Sequence, residues 1–156
     1  IQLDFAQPEN FNLEYVAKTG EKKRPVMIHR VIYGSVERFL GILIEHYAGA
    51  FPVWLAPVQT VIIPITDKHL AYAQKIFDRL KEEKFLVELD KRSETTSAKI
   101  RQAEIQKIPY MLVVGDKEIK AKKVNLRLRG EKLLGSLTLP KFIKRLKSDI
   151  AKKKQI

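Results

Sequence analysis

A chain of 156 residues can hold one ordinary domain, or a small domain joined to a piece of another. It has no cysteine, which excludes a disulfide framework and a thiolate metal centre, and no apolar run long enough to span a bilayer or serve as a signal peptide, so a cytoplasmic setting is expected. The net charge of +12 is unevenly spread: residues 1–56 carry six Lys/Arg and six Asp/Glu, and residues 57–156 carry twenty-four and twelve. That break predicts a boundary near Ala56-Pro57. It gives the second part either a lysine-rich solvated surface or a polyanionic partner, most often nucleic acid.

In the first part, Gln2-Leu-Asp-Phe5 alternates as a short strand, Pro8-Glu-Asn10 turns the chain, residues 13–16 form another short strand and residues 19–22 a loop. From Val26 to Tyr33 two sets alternate: Val26, Ile28, Arg30 and Ile32 against Met27, His29, Val31 and Tyr33. Both are mostly apolar, which predicts a strand covered on both faces. Gly34-Ser35 breaks the pattern, and Ser35 is a good N-cap. Val36, Phe39, Leu40, Leu43 and Tyr47 then recur at helical spacing, Ile42 and Ile44 widen the apolar face, and Gly49 and Pro52 end the helix. Arg38 sits in its first turn, where the macrodipole disfavours a cation. Either a nearby carboxylate pairs with it, or the helix N-terminus and the arginine together await an anion such as phosphate. Several short strands and one nearly all-round apolar helix do not close a core. With a start at Ile1, this predicts a fragment whose missing partners lie upstream.

In the second part, residues 57–65 are a continuous apolar run and read as a buried strand. Residues 67–84 are an amphipathic helix with Leu70, Ala73, Ile76, Phe77 and Leu80 inward and Asp67 as cap. Residues 85–89 form a second strand, Ser97 caps a helix running to Lys107, and residues 110–114 form a third strand. Gly115-Asp116 reads as a turn. Val124, Leu126 and Leu128 alternate with Asn125, Arg127 and Arg129, residues 133–138 form the last strand, and Pro140 opens a closing helix. The order predicts a compact α/β domain with a mixed sheet flanked by helices.

The Gly34-Ser-Val-Glu-Arg-Phe39 segment, opening a helix straight after a strand, resembles motif 3 of the class II aminoacyl-tRNA synthetases. The longer run, Val26-Met-Ile-His-Arg30 through Gly41-Ile-Leu-Ile-Glu-His-Tyr-Ala-Gly-Ala-Phe-Pro-Val-Trp-Leu-Ala-Pro-Val-Gln59, is similar to the threonyl-tRNA synthetases in particular. The resemblance covers nearly the whole chain, most strongly through residue 65 and again over residues 109–135. It implies a C-terminal part of such an enzyme: the end of an antiparallel class II catalytic domain (1–56) followed by the anticodon-binding domain (57–156) shared by the threonyl, prolyl, histidyl and glycyl enzymes. The parent would use ATP with Mg2+ to activate threonine and charge tRNA(Thr), as a homodimer with no membrane attachment. Motifs 1 and 2 lie outside this chain, so the chain alone is expected to be inactive.

The same resemblance implies roles for individual residues. His29 matches one of three zinc ligands, the other two being an upstream cysteine and histidine; read without it, a lone mid-strand histidine is a core residue. Arg38 matches the motif 3 arginine that packs on adenine and balances ATP phosphate charge. Ser35 and Gln2 match residues of the substrate and adenylate pocket. Glu118 and Arg127 match positions that read anticodon bases, a role suited to a carboxylate and a guanidinium; as bare residues they could equally form a surface ion pair. Arg92 and Arg101 are candidate tRNA contacts. Ser93-Glu-Thr-Thr-Ser97 departs from the family's Asn-Glu-Lys-x-Gly pattern. Two other classes fit more loosely: another class II synthetase with the same terminal domain, and a non-catalytic RNA-binding or polymerase-accessory module.

Overall fold

A computed structural model describes residues 1–130 and 132–154. Its internal contacts divide the chain into residues 1–43 and 44–156.

The first unit is built from short pieces. Strand β1 (Gln2–Asp4) pairs antiparallel with β4 (Met27–His29), and β2 (Tyr15–Val16) with β3 (Lys22–Lys23). Residues expected to turn at Pro8 form a one-turn helix instead, α1 (Ala6–Asn10), because the Asp4 carboxylate accepts from the backbone N–H of Ala6 and Gln7 and so holds its N-terminus. The expected strand over residues 26–33 shrinks to the three residues of β4. Its predicted cover is absent among the described residues: Ile28, Val31, Ile32 and Tyr33 are all more than 60% exposed. A strand needs a neighbour for its backbone groups, and β4 has one only where β1 lies beside it. Helix α2 (Val36–His46) forms where the spacing places it but buries none of its residues.

The second unit has a true core. Five strands lie in the order β6-β5-β7-β8-β9: β5 (Thr60–Pro64) is parallel to β6 (Val87–Leu89) and to β7 (Tyr110–Val114), and β8 (Lys123–Leu128) and β9 (Leu133–Thr138) continue antiparallel. Helix α3 (Leu70–Glu82) and helix α6 (Leu139–Ala151) cover one face, through Ala73, Ile76, Leu80, Phe142 and Leu146 against Ile62, Leu112, Val124 and Leu126. Helix α4 (Thr96–Ile105) covers the other, through Ala103 against Val61, Ile63, Met111 and Val113. The strands β5 and β7 are buried along their whole length, as a strand covered on both sides must be. Tyr110 is fully buried, with its ring edge-on to Phe142. Its hydroxyl donates to the buried Asp149 carboxylate, and burial with that carboxylate pushes the phenol well above its ordinary pKa.

Three local expectations are corrected. Asp67 does not cap the helix after β5: residues Asp67–His69 make a 3-10 turn entered from Thr66, whose backbone N–H donates to His69 Nδ1. Thr95, not Ser97, caps α4, accepting from the Ala98 N–H at 3.3 Å. Gly115-Asp116 is not a simple turn but opens helix α5 (Asp116–Ala121), whose N-terminus is held by the Glu118 carboxylate accepting from the Gly115 N–H at 3.1 Å.

Candidate functional site

Two regions carry the predicted site residues, one in each unit. In the first, β1 and β4 are registered with Gln2 opposite His29. Side-chain alternation therefore puts Gln2, Asp4, Met27 and His29 on one face. His29 Nε2 lies 2.9 Å from Asp4 Oδ2, a diagonal cross-strand contact. The backbone N–H of Gln7, and next the His29 ring, hold the Asp4 carboxyl below the usual carboxylate range. Nothing in sequence periodicity singles out Asp4; its place two residues after Gln2, before a helical turn, is the available signal.

Along α2, Ser35 caps as expected: its hydroxyl accepts from the Arg38 N–H at 3.4 Å and donates to Glu37 at 2.7 Å. That hydroxyl holds the Glu37 carboxyl below its ordinary range, and the anion sits where the helix dipole is positive. The Arg38 side chain is exposed and has no ion-pair partner among the described residues, so the carboxylate pairing weighed above does not form. A helix N-terminus with a free guanidinium beside it can take an anion.

In the second unit, the parallel strand order and the placement of α3 and α4 on opposite faces create a crevice at the carboxyl ends of β5 and β7, the place where open α/β sheets bind ligands. A cleft of about 380 Å³ opens on the neighbouring side, beyond the carboxyl ends of β5 and β6, lined by Ile65, Thr66, Asp67, Arg92, Ser93, Glu94, Thr95 and Lys99. Gly115 lies between Ile65 of that lining and Glu118: a Cβ built on it would lie 2.5 Å from Ile65 Cδ1 and 3.3 Å from Glu118 Oε2, so a side chain there would displace the Ile65 methyl and crowd the carboxylate. His69 Nε2, 3.2 Å from Asp116 Oδ1, ties the loop after β5 to α5.

Arg127 lies on β8 opposite Met111, on the α4 side of the sheet, and its buried Nε has no hydrogen-bond partner among the described residues. Asn125 is two residues along the same face, and its buried Oδ1 likewise has none among them. The alternation of β8 puts Arg129 on the same polar face as Arg127, but its side chain turns to the backbone. Its guanidinium donates to the carbonyls of Phe51 and Lys107 at 3.0 and 2.9 Å, which makes it a tether for the backbone. Glu118 stands in the first turn of α5. Arg92 is exposed but clamped on both oxygens of Asp90, at 3.0 and 2.6 Å, and that clamp holds the Asp90 carboxyl low. Arg101 is exposed on α4.

Lys99 is a site residue that the sequence reading does not pick out. It occupies the first turn of α4, only 4% exposed, and its Nζ donates to the Pro64 carbonyl at 3.2 Å, so a cation floors the cleft. A lysine one residue before the inward Ile100, on a helix otherwise read for its apolar face, is the only signal. Among the described residues no three His, Asp or Glu side chains converge as a metal site would require, and no helix is long and apolar enough to cross a membrane.

Comparison with known proteins gives two family matches: the anticodon binding domain over residues 59–149, and the tRNA synthetase class II core domain (G, H, P, S and T) over residues 1–47. Among curated proteins the chain is 56% identical, over 98% of its length, to threonine–tRNA ligases of Caldanaerobacter subterraneus and Desulforamulus reducens, and 55% identical to that of Clostridium botulinum. It spans 24% of the length of these relatives. Among solved structures, the RNA-binding domain of threonyl-tRNA synthetase from Cryptosporidium parvum superposes with a TM-score of 0.82 at 39% identity, over 94% of this chain and 38% of that one. Prolyl-tRNA synthetase of the same organism shares the fold, with a TM-score of 0.68 at 20% identity, over 93% of this chain and 32% of that one. The chain belongs to the anticodon-binding domain family, and residues 1–47, ahead of that domain, match the class II tRNA synthetase core.

Proposed function

We propose that this chain is the motif 3 and anticodon-reading portion of a threonine–tRNA ligase, which activates threonine with ATP and transfers it to tRNA(Thr). The observation that carries the reading is the pairing, in one chain, of an exposed Arg38 at a capped helix N-terminus with a basic α/β domain of the anticodon-binding family. The functional boundary falls near Ala56-Pro57, where the charge balance changes.

In the first part, Arg38 neutralises the phosphate charge that builds as the threonine carboxylate attacks the α-phosphate of ATP, which Mg2+ accompanies. Ser35 keeps the helix N-terminus formed beside it. Gln2, on the same face as His29, is placed to hydrogen-bond the bound substrate. His29 supplies one ligand of a three-residue zinc site, and the donor chemistry fits: one ring nitrogen is held by Asp4 and the other is left for a metal. When bound, zinc would take the amino and hydroxyl groups of threonine, a chelation valine cannot make. The exposed apolar faces of β4 and α2 are where the rest of the catalytic core packs.

In the second part, Glu118 and Arg127 read anticodon bases, while Lys99, Arg92 and Arg101 favour the backbone that carries them. The working protein is cytoplasmic and, as a whole enzyme, a homodimer.

The test is amino-acid-dependent exchange of pyrophosphate into ATP by the full-length protein that contains this segment. Threonine alone should drive exchange, and this chain by itself should show none while still binding tRNA. Exchange driven by proline, histidine or glycine would instead assign the segment to another class II enzyme. Tight RNA binding by a full-length protein with no exchange would make it an RNA-binding module.

A further inference from the structure

We infer that Asp4 is a positioning residue for His29 that fixes Nδ1 as the ring nitrogen offered to the metal; the inference rests on the reading of His29 as a zinc ligand. The geometry is specific. Asp4 Oδ1 accepts two backbone N–H groups, from Ala6 at 2.9 Å and Gln7 at 3.0 Å, so the carboxylate cannot rotate without leaving both unpaired. That leaves Oδ2 aimed at His29 Nε2, 2.9 Å away. The Asp4 side chain is 18% exposed and that of His29 41%, so the carboxylate lies inside and the imidazole reaches outward from it.

An ionised carboxylate only accepts, so the proton of the neutral ring sits on Nε2. The lone pair is then on Nδ1, the only nitrogen able to take a metal. A carboxylate behind a metal-bound imidazole fixes ring orientation and raises ligand basicity. Here the turn of α1, by clamping Asp4, is what fixes the carboxylate. A local backbone motif thereby sets the tautomer of a side chain twenty-five residues away in sequence.

Asp4 also stabilises α1, so the test must separate the two roles. Serine at this position can still accept from the Ala6 and Gln7 N–H groups but cannot reach the ring. Asparagine keeps the shape and the cap but can turn its amide N–H toward Nε2, which makes Nε2 an acceptor and moves the proton to Nδ1. Zinc affinity is measured in the full-length protein by competition with a chromogenic chelator, alongside the unfolding midpoint. Asp4→Ser should weaken zinc about 10–100-fold with the midpoint nearly unchanged. Asp4→Asn should weaken it at least as much despite being the closer mimic. His29→Ala should lose zinc outright. Unchanged zinc affinity in both Asp4 variants, with loss in His29→Ala, overturns the inference and leaves the ligand reading standing. Retention of zinc by His29→Ala overturns the ligand reading itself. If Asp4→Ser fails to fold, Asp4→Asn alone decides.

Discussion

Several arginines of this chain look alike in sequence and differ in what they are free to do. Arg38 stands exposed on a helix N-terminus with no carboxylate partner among the described residues, so its charge is available to a ligand. Arg38→Ala in the full-length protein should lower threonine-dependent pyrophosphate exchange by about two to three orders of magnitude, the roughly 2.7–4 kcal/mol that one preorganised transition-state group supplies. Affinity for tRNA, measured by filter binding, should barely change. Arg129 is already spent on two carbonyls, so Arg129→Ala should act on stability and not on selectivity. Leaving both acceptors with weaker partners costs on the order of 1–3 kcal/mol, read from urea unfolding of the chain. Arg92 lies between these cases. Its clamp depresses the Asp90 carboxyl, so that pair contributes stability above the ordinary Asp pKa of about 3.9, and the contribution is lost as pH falls through the depressed value. Arg92→Ala should therefore move acid unfolding to higher pH by removing the reason the carboxylate stays ionised. An unchanged acid midpoint would mean that the pair is held only as an exposed surface contact.

Secondary structure is readable wherever a segment finds its packing partners within the chain. The run that becomes β5 has no polar residue from Val61 to Ile63, and the helix after it repeats Ala73, Ile76 and Leu80 at the spacing that one covered face demands. The pattern over residues 26–33 overstates its strand because alternation reports what a segment will bury, not what lies beside it; without a partner strand only the β1-paired portion is regular. Helix α5 escapes the periodicity because six residues give no repeat to count. Its mark is the Glu three residues after Gly115, the carboxylate that caps it. The same carboxylate is the candidate base reader, so the site can be matched by resemblance while the element bearing it cannot be derived. Lys99 escapes both routes, because a lysine in a basic domain reads as part of a solvated face. At the start of α4, Thr95 and Ser97 are both plausible caps, and the geometry separates them. Thr95→Ala should cost about 1 kcal/mol in chemical denaturation. Ser97→Ala, one residue inside the helix, should stay within roughly 0.5 kcal/mol. Equal losses would mean that the cap bond does not persist in solution.

For the chain as a whole, charge and shape make separable demands on RNA. All of the +12 lies in residues 57–156, and cations distributed over that surface bind phosphates, release counterions and favour any RNA. Selectivity must come from groups with fixed direction. Two are present: Arg127 on the α4 side of the sheet, whose Nε is buried with no hydrogen-bond partner among the described residues, and Glu118 beyond the carboxyl end of β7, held against Gly115 at the start of α5. Lys122, the left-handed residue that ends α5, and Lys123, the first residue of β8, are both exposed. The chain should therefore bind an anticodon stem-loop with the threonine bases, guanine then uracil, more tightly than one with a scrambled loop. Arg127→Ala should remove that preference, worth about 1–3 kcal/mol per base contact, and leave the dependence of affinity on salt almost unchanged. Replacing Lys122 and Lys123 together should do the reverse: for every phosphate that a lysine no longer neutralises, the slope of log affinity against log salt flattens by about 0.7 to 0.9, with the preference kept. Binding curves for both loops, at several salt concentrations, separate the two effects. If both variants scale binding equally for the two loops, the domain senses charge alone, and neither Glu118 nor Arg127 reads a base.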